Sequence, residues 1–253
     1  MIHRDEALRE ASRYRLTEDL HTHTVFSHGK GRIEDNVRVA LSKGLSAIAI
    51  SDHGPGHLSY GIKREDICHM RAEIDRLAPL YPQIKIYLSV EANIISKRPF
   101  LDILPEERAL FDFLIGGYHY GLRHAASPLN WLDRKGFSLP PLRRRLCSFN
   151  TAMCVRSIYE NPLKILTHPG DKAAFDIREI AKACAARGTL MELNRKHPHL
   201  SVEEIRIAAK EDVSFIISSD AHLAENVGSF RPALARAIEA GLDLERIVNI
   251  EKI

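Results

Sequence analysis

The chain of 253 residues has four cysteines, Cys68, Cys147, Cys154 and Cys184, and no two of them form a C-x-x-C pair. That removes the usual thiolate zinc and redox motifs, leaves four structural thiols, and makes disulfides an unfavoured expectation. No apolar run approaches the ~20 residues needed to cross a bilayer. Residues 1–15 are charged and lack the apolar core of a signal peptide. A reducing, cytoplasmic compartment is therefore expected. Charge of one sign is also nearly absent: the net +3 is too mild to imply nucleic-acid binding, yet it excludes neither a locally basic pocket nor a phosphate-bearing substrate. No Pro/Gly/Ser-rich linker and no low-complexity stretch divides the chain. With 45% hydrophobic and 27% charged residues, it reads as one ordinary globular domain.

What is present is a rhythm. Residues 1–14 look helical, with Asp5 and Glu6 early and Leu8, Ala11 and Tyr14 at helical spacing. This predicts an N-terminal helical extension, 1–14, before a domain over 15–253. From there short apolar runs, predicted as strands, fall at 15–20, 46–50, 85–90, 111–115, 163–166, 189–193 and 214–217. Amphipathic segments near 33–43, 64–77, 146–160, 177–187, 202–211 and 231–240 alternate with them. Gly44, Gly188 and Gly241 punctuate segment ends. Such alternation predicts a parallel sheet with crossover helices.

The histidines, thirteen in all, are placed unevenly. His21 and His23 share one face of the first strand, and His28 follows. Asp52 and His53 follow the second strand, Glu91 the third, His119 the fourth and His168 the fifth. Glu192 and Asn194 end the sixth, and Asp220 and His222 follow the seventh. Parallel α/β folds gather functional groups beyond the carboxyl ends of their strands, so these side chains are predicted to share one rim. Imidazoles and carboxylates without thiolates suit zinc, manganese or iron(II). The ligands outnumber what one tetrahedral ion uses, and Glu91 is able to bridge. Two or three divalent ions are expected, and with them hydrolysis at phosphorus. Amide hydrolysis is the competing chemistry.

These stretches carry a family resemblance. Asp19-Leu20-His21-Thr22-His23-Thr24, Ser51-Asp52-His53-Gly54, Val90-Glu91-Ala92-Asn93, Gly117-Tyr118-His119, Thr167-His168-Pro169-Gly170, Met191-Glu192-Leu193-Asn194 and Ser218-Ser219-Asp220-Ala221-His222 occur in order. Through them the chain resembles, over nearly all its length after residue 15, the polymerase and histidinol phosphatase (PHP) family of metal-dependent phosphoesterases. The resemblance implies a distorted seven-stranded (β/α)7 barrel, TIM-barrel-like, with a trinuclear metal centre. One metal would take His21, His23, Glu91 and Asp220; a second would share Glu91 and add His119 and His168; a third would take His28, His53 and His222. A hydroxide bridging the first two would attack a small phosphomonoester. Histidinol phosphate, phosphotyrosine and nucleotide esters are alternative substrates. An amidohydrolase-type barrel, whose bridging group is typically a modified lysine, and a non-catalytic metal-binding regulator are the alternatives of other classes.

Beyond the ligands, Asp220 and His222 are the expected catalytic groups, with Arg195 as the preferred phosphate contact beside Lys196. Asp19 and Asp52 are expected to orient imidazoles. Lys63 and Arg64 follow a loop able to cover the pocket, and His57, His197 and His199 are rim candidates for a proton donor. The triplet Arg143-Arg144-Arg145 reads as a solvated helix face, and Trp131 lies in an elaborated loop over 127–141. The sequence carries no signal for the oligomeric state.

Overall fold

A computed structural model describes residues 3–253, so the first two residues of the predicted N-terminal helix lie outside the described residues. Helix α1 (Arg4–Ala11) packs on the last helix, α8 (Arg231–Ala240), and fully buries Ala7 and Ala11. It is shorter than predicted. Tyr14 belongs instead to a short strand, β1 (Tyr14–Leu16), paired antiparallel with β10 (Ile250–Lys252). The predicted strand over 15–20 is thus divided between β1 and the strand that follows it, and β10 was not expected.

The parallel strands are β2 (Glu18–Thr22), β3 (Ala47–Ile50), β4 (Lys85–Leu88), β5 (Glu91–Asn93), β6 (Leu114–Gly117), β7 (Leu163–Leu166), β8 (Leu190–Asn194) and β9 (Phe215–Ser218). They form two adjoining sheets, β2-β3-β4 and β5-β6-β7-β8-β9. The predicted strand over 85–90 is broken, and the break sets the architecture. Ser89 still donates to the Ile50 carbonyl at 2.8 Å, whereas the Val90 carbonyl already accepts from Ile115 at 3.1 Å. Across the break the backbone still keeps both neighbours: the Leu88 carbonyl accepts from Asp112, and Glu91 bridges His53 beyond β3. On the far side, Thr22 bridges Ala221, and the His23 amide donates to the Ala221 carbonyl at 2.8 Å. The result is an α/β fold resembling a distorted barrel.

Its interior is plugged by Leu20, Ala49, Ile115, Ile165 and Ile216, one from each of five strands. A larger apolar layer lies between strands and helices, where α2 (Ile33–Ser42), α3 (Asp66–Leu77), α6 (Ile177–Arg187), α7 (Val202–Ala208) and α8 bury one face each. Those helices follow the predicted spans closely. Between β6 and β7 the structure departs from expectation. The elaborated loop contains helix α4 (Ser127–Arg134), and the next helix, α5 (Pro140–Glu160), starts six residues early and carries the arginine triplet on its first turns. Pro140 and Pro141 open α5 where a missing N–H costs nothing.

Alternation along each strand turns the plug into a site. Ile165 and Ile216 point inward, and two to four residues later Thr167 and Asp220 occupy the same side. Strand β2 breaks the rule: even-numbered Leu20 is in the plug, yet odd-numbered His21 and His23 face the site. A register shift between Asp19 and Thr22 accounts for the change of parity.

Candidate metal centre

Four ligand atoms converge at the carboxyl ends of β2 and β9 and the first residue of β5. His21 Nε2 lies 3.1 Å from His23 Nε2 and 3.3 Å from Glu91 Oε2. His23 Nε2 stands 3.7 Å from the same oxygen and 3.2 Å from Asp220 Oδ1. The remaining His21–Asp220 separation is 4.0 Å. Ligands about 2.1 Å from a tetrahedral ion stand roughly 3.4 Å apart, so the spacing is that of atoms sharing one cation. The pairing of imidazole with imidazole makes the same point. Glu192 Oε1 accepts the His21 Nδ1–H at 2.7 Å, which directs Nε2 at His23. The charges of Glu91, Glu192 and Asp220 outweigh burial to raise His21 well above its usual range.

The other Glu91 oxygen faces a different group. Oε1 lies 2.8 Å from His168 Nε2 and 3.4 Å from His119 Nε2, and accepts the Thr167 hydroxyl at 2.6 Å. His119 donates from Nδ1 to Asn93 Oδ1 at 2.9 Å, so its Nε2 is bare. Gly117 keeps this corner open: a Cβ there would sit 2.8 Å from Glu91 Oε1 and 3.0 Å from His119 Cε1.

A third set is looser. The His28 ring centroid is 4.1 Å from that of His222 and 4.8 Å from that of His53, while His53 and His222 are 6.1 Å apart. His53 Nδ1 also lies 2.9 Å from Glu91 Oε2, but at an angle that makes no hydrogen bond. Both ring nitrogens of His53, Nδ1 of His23 and Oε2 of Glu91 are buried without hydrogen-bond partners. Buried polar atoms left this way are costly, and cations at the cluster would satisfy Glu91 Oε2 and one nitrogen of His53. Asp220 (φ +51°) and His168 (φ +28°) both hold left-handed backbone, strain of the kind that collects at functional sites.

The charges follow from this crowding. Burial alone would raise the Glu91 carboxyl, but His119, His21, His53 and His168 around it hold it well below the usual range. Asp220 is likewise held low against burial by His21 and by hydrogen bonds with His197, His222 and His23. Burial, reinforced by neighbouring imidazoles, pushes His23 well down, and burial takes His53 to about 3. Both are neutral at physiological pH, the form a metal requires.

Several predicted roles need correction. Arg195 does not reach this cavity. The backbone turns Asn194 and Lys196 toward the site, so Arg195 between them faces a separate cleft with Tyr14, Lys43 and Arg231. Lys196 takes the rim position, 3.2 Å from His222 Nδ1 and 3.8 Å from Asp220 Oδ1. Asp19 and Asp52 hold no imidazole. Asp19 accepts the Ser219 and Gly228 amides at 3.1 and 2.8 Å, pinning the loop around Asp220. Asp52 accepts the Thr24 amide at 2.7 Å and the Ser27 hydroxyl, pinning the loop that carries His28. Arg64 pairs with Glu107 and the Asp102 carbonyl, away from the cavity, and Lys63 is exposed. His199 is bound to Glu204 at 3.0 Å. His57 stacks on Tyr60 at 3.5 Å, and it is Tyr60 that lines the cavity. His197 does reach the site. It spans Asp171 Oδ2 at 3.1 Å and Asp220 Oδ2 at 3.2 Å, and these two carboxylates outweigh burial to raise it to about 9.

Sequence reasoning gave no role to Glu192, Asn93, Asp102, Asp171 or Lys172. Glu192 and Asn93 are the groups that orient His21 and His119. Asp102 in turn accepts from the Asn93 side chain at 2.6 Å. The signal for Glu192 was its placement two residues before Asn194, on the inner face of a strand. Asp102 had none, because it comes from the turn-rich segment after β5. The cavity above the cluster holds about 280 Å³, and Lys172, Lys196 and His197 bring basic groups to it.

In fold the chain is similar to the histidinol phosphate phosphatase of Lactococcus lactis, a structure complexed with zinc, L-histidinol and phosphate. The TM-score is 0.53 at 15% identity, over 90% of this chain and 94% of that one. Buried imidazole and carboxylate clusters at the strand ends of a distorted α/β barrel, taken with the family match and the probable phosphatases among its relatives, make this a metal-dependent hydrolase of the phosphoesterase kind. The PHP domain family model matches residues 19–196, more than half of the chain. The protein belongs to the PHP domain family. Among its relatives are a probable phosphatase of Shewanella frigidimarina, 26% identical over 91% of this chain and 88% of its own length, and one of Edwardsiella ictaluri, 29% identical over 91% and 89%.

Proposed function

We propose that the protein hydrolyses a small phosphomonoester at a centre of three divalent ions, zinc, manganese or iron(II). The observation that carries this reading is the divided carboxylate of Glu91, whose two oxygens face two different imidazole groups. In the proposal His21, His23, Glu91 and Asp220 hold one ion, Glu91, His119 and His168 a second, and His28, His53 and His222 a third. Ions bound there would bring the pKa of water toward neutrality and neutralise phosphoryl oxygens. The chain's own residues do the rest. Glu192 and Asn93 fix the tautomers of His21 and His119. Asp171 and Asp220 hold His197 protonated at the cavity wall, positioned to attract the phosphate or give a proton to a departing alkoxide. Lys196 adds a mobile cation beside His222. The cavity's small volume suits a single phosphoryl group with a small alcohol, and the mild net charge favours that over nucleic acid. Among alternatives, histidinol phosphate draws support from the Lactococcus lactis likeness, at the level of fold alone.

Taking β4 and β5 as one interrupted strand makes the barrel seven-stranded, with residues 15–253 as its domain and 1–14 as the segment that covers its end. No helix among the described residues is long and apolar enough to cross a membrane. The four free thiols suit a reducing, cytoplasmic setting.

Elemental analysis of protein purified without chelator, paired with phosphate release from a panel of phosphomonoesters, tests the reading. Two to three metals per chain are expected, with activity abolished by His119→Ala and by Asp220→Ala. His28→Ala should deplete one metal and weaken substrate binding, whereas His21→Ala should stop turnover. Fewer than two metals per chain, or activity untouched by these changes, would overturn it.

A further inference from the structure

A cleft of about 620 Å³ lies apart from the histidine cavity. It lies where the paired strands β1 and β10 meet the start of α8, and its lining includes Arg15, Lys43, Arg195 and Arg231, no Asp or Glu side chain, and the last residue, Ile253. Two of these cations are engaged. Arg15 pairs with Glu251 at 2.6 Å, and Lys43 donates to the Glu225 and Val227 carbonyls at 2.8 and 2.5 Å. The guanidinium groups of Arg195 and Arg231 have no hydrogen-bond or ion-pair partner among the described residues. Burial lowers the Lys43 ammonium, with Asp19 opposing the shift and Arg195 adding to it. Phe230 opens α8 without a side-chain cap, which leaves the positive end of the helix dipole uncompensated at the same place. The facing wall is apolar, formed by Tyr14, Leu16 and Leu45. Arg195 cannot serve the histidine cavity from here, because strand alternation turns it away from Asn194 and Lys196.

We propose that this cleft is a second ligand site, specific for an organic phosphate. The phosphate lies between Arg195 and Arg231, and the organic portion packs on Tyr14 and Leu16. Two guanidinium groups provide charge-assisted bonds to a phosphate, and the volume is in the range of small-molecule pockets. The site is separate from the ester turned over at the histidines and does not depend on that reaction.

Equilibrium dialysis of the metal-loaded full chain with phenylphosphonate, whose C–P bond resists phosphoester hydrolysis, provides the test. The expected result is one more equivalent bound by the wild type than by the Arg195→Gln/Arg231→Gln double variant. That difference persists after chelation, when the histidine cluster no longer contributes, so a failure of the metal-centre reading leaves the test intact. Equal stoichiometry in the two proteins, with and without chelator, would overturn the site. Inorganic phosphate should bind the cleft at least tenfold more weakly than phenylphosphonate, and equal affinities would overturn its organic specificity. Should the double variant not fold, Arg231→Gln alone, at an exposed side chain, should weaken phenylphosphonate binding about tenfold, and an unchanged affinity would overturn the site equally.

Discussion

Glu192→Gln tests how closely the centre depends on a residue that touches no proposed ion. In the wild type one carboxylate oxygen accepts His21 Nδ1–H at 2.7 Å, and the other accepts the His168 amide at 2.7 Å and the Asn194 side chain at 2.9 Å. Every contact is a donor pointing at the carboxylate, and Gln must present an NH2 to one side. If the amide nitrogen faces His21, the ring has to accept at Nδ1 and carry its proton on Nε2, which removes the lone pair a metal needs. If it faces the His168 amide, two donors meet in a fully buried place, at a cost of about 1–3 kcal/mol in stability. Partners of this kind are typically worth 10–100-fold in metal affinity, or about 1.4–2.7 kcal/mol. Competition for zinc against a chromogenic chelator should show that loss, with phosphate release falling in parallel. Zinc affinity and turnover both within twofold of wild type would refute the argument that Glu192 fixes the His21 tautomer.

Three further outcomes are expected. Lys196→Gln should raise KM for a phosphomonoester several-fold with little change in metal content, while Arg195→Gln should leave both unaltered; steady-state kinetics with elemental analysis decide. Gly117→Ala should deplete the ion assigned to His119 and His168, since the added methyl would meet both Glu91 and His119. Stability of the metal-free protein should fall from pH 6.5 to pH 5. His53 (about 3), His28 (about 4) and His57 (about 4) stay neutral in the folded chain while their unfolded counterparts take up protons near 6.5. A group depressed on folding destabilises as pH drops below its unfolded value. For buried His53 the slope approaches ~1.4 kcal/mol per pH unit, and half-exposed His28 and His57 add less. Denaturation midpoints that stay flat or rise toward pH 5 would contradict this.

Much of the site was legible because parallel strands impose a simple rule. Side chains two or three residues beyond a strand end reach the rim, so His53, His119, His168 and Asp220 were legible from their distance beyond an apolar run. The strand–helix alternation fixed the α/β class in the same way, since an apolar stripe of period 3.6 beside a run of Ile, Leu and Val leaves few alternatives. What the sequence alone did not carry is direction and partnership. Arg195 and Lys196 are equally basic neighbours, and only the path of the chain after β8 turns one into the metal cavity and the other into a different cleft. Asp19 and Asp52 sit beside ligands in sequence, but their oxygens go to backbone amides of loops far along the chain. The parity of His21 and His23 depends on a register shift in β2, and the division of Glu91 between two imidazole sets depends on separate strands bringing His21 and His53 to one oxygen and His119 and His168 to the other. Local pattern determines which elements form and which residues end them. The pairing of distant backbones, set by long-range hydrogen bonds and packing, decides where each side chain finally points.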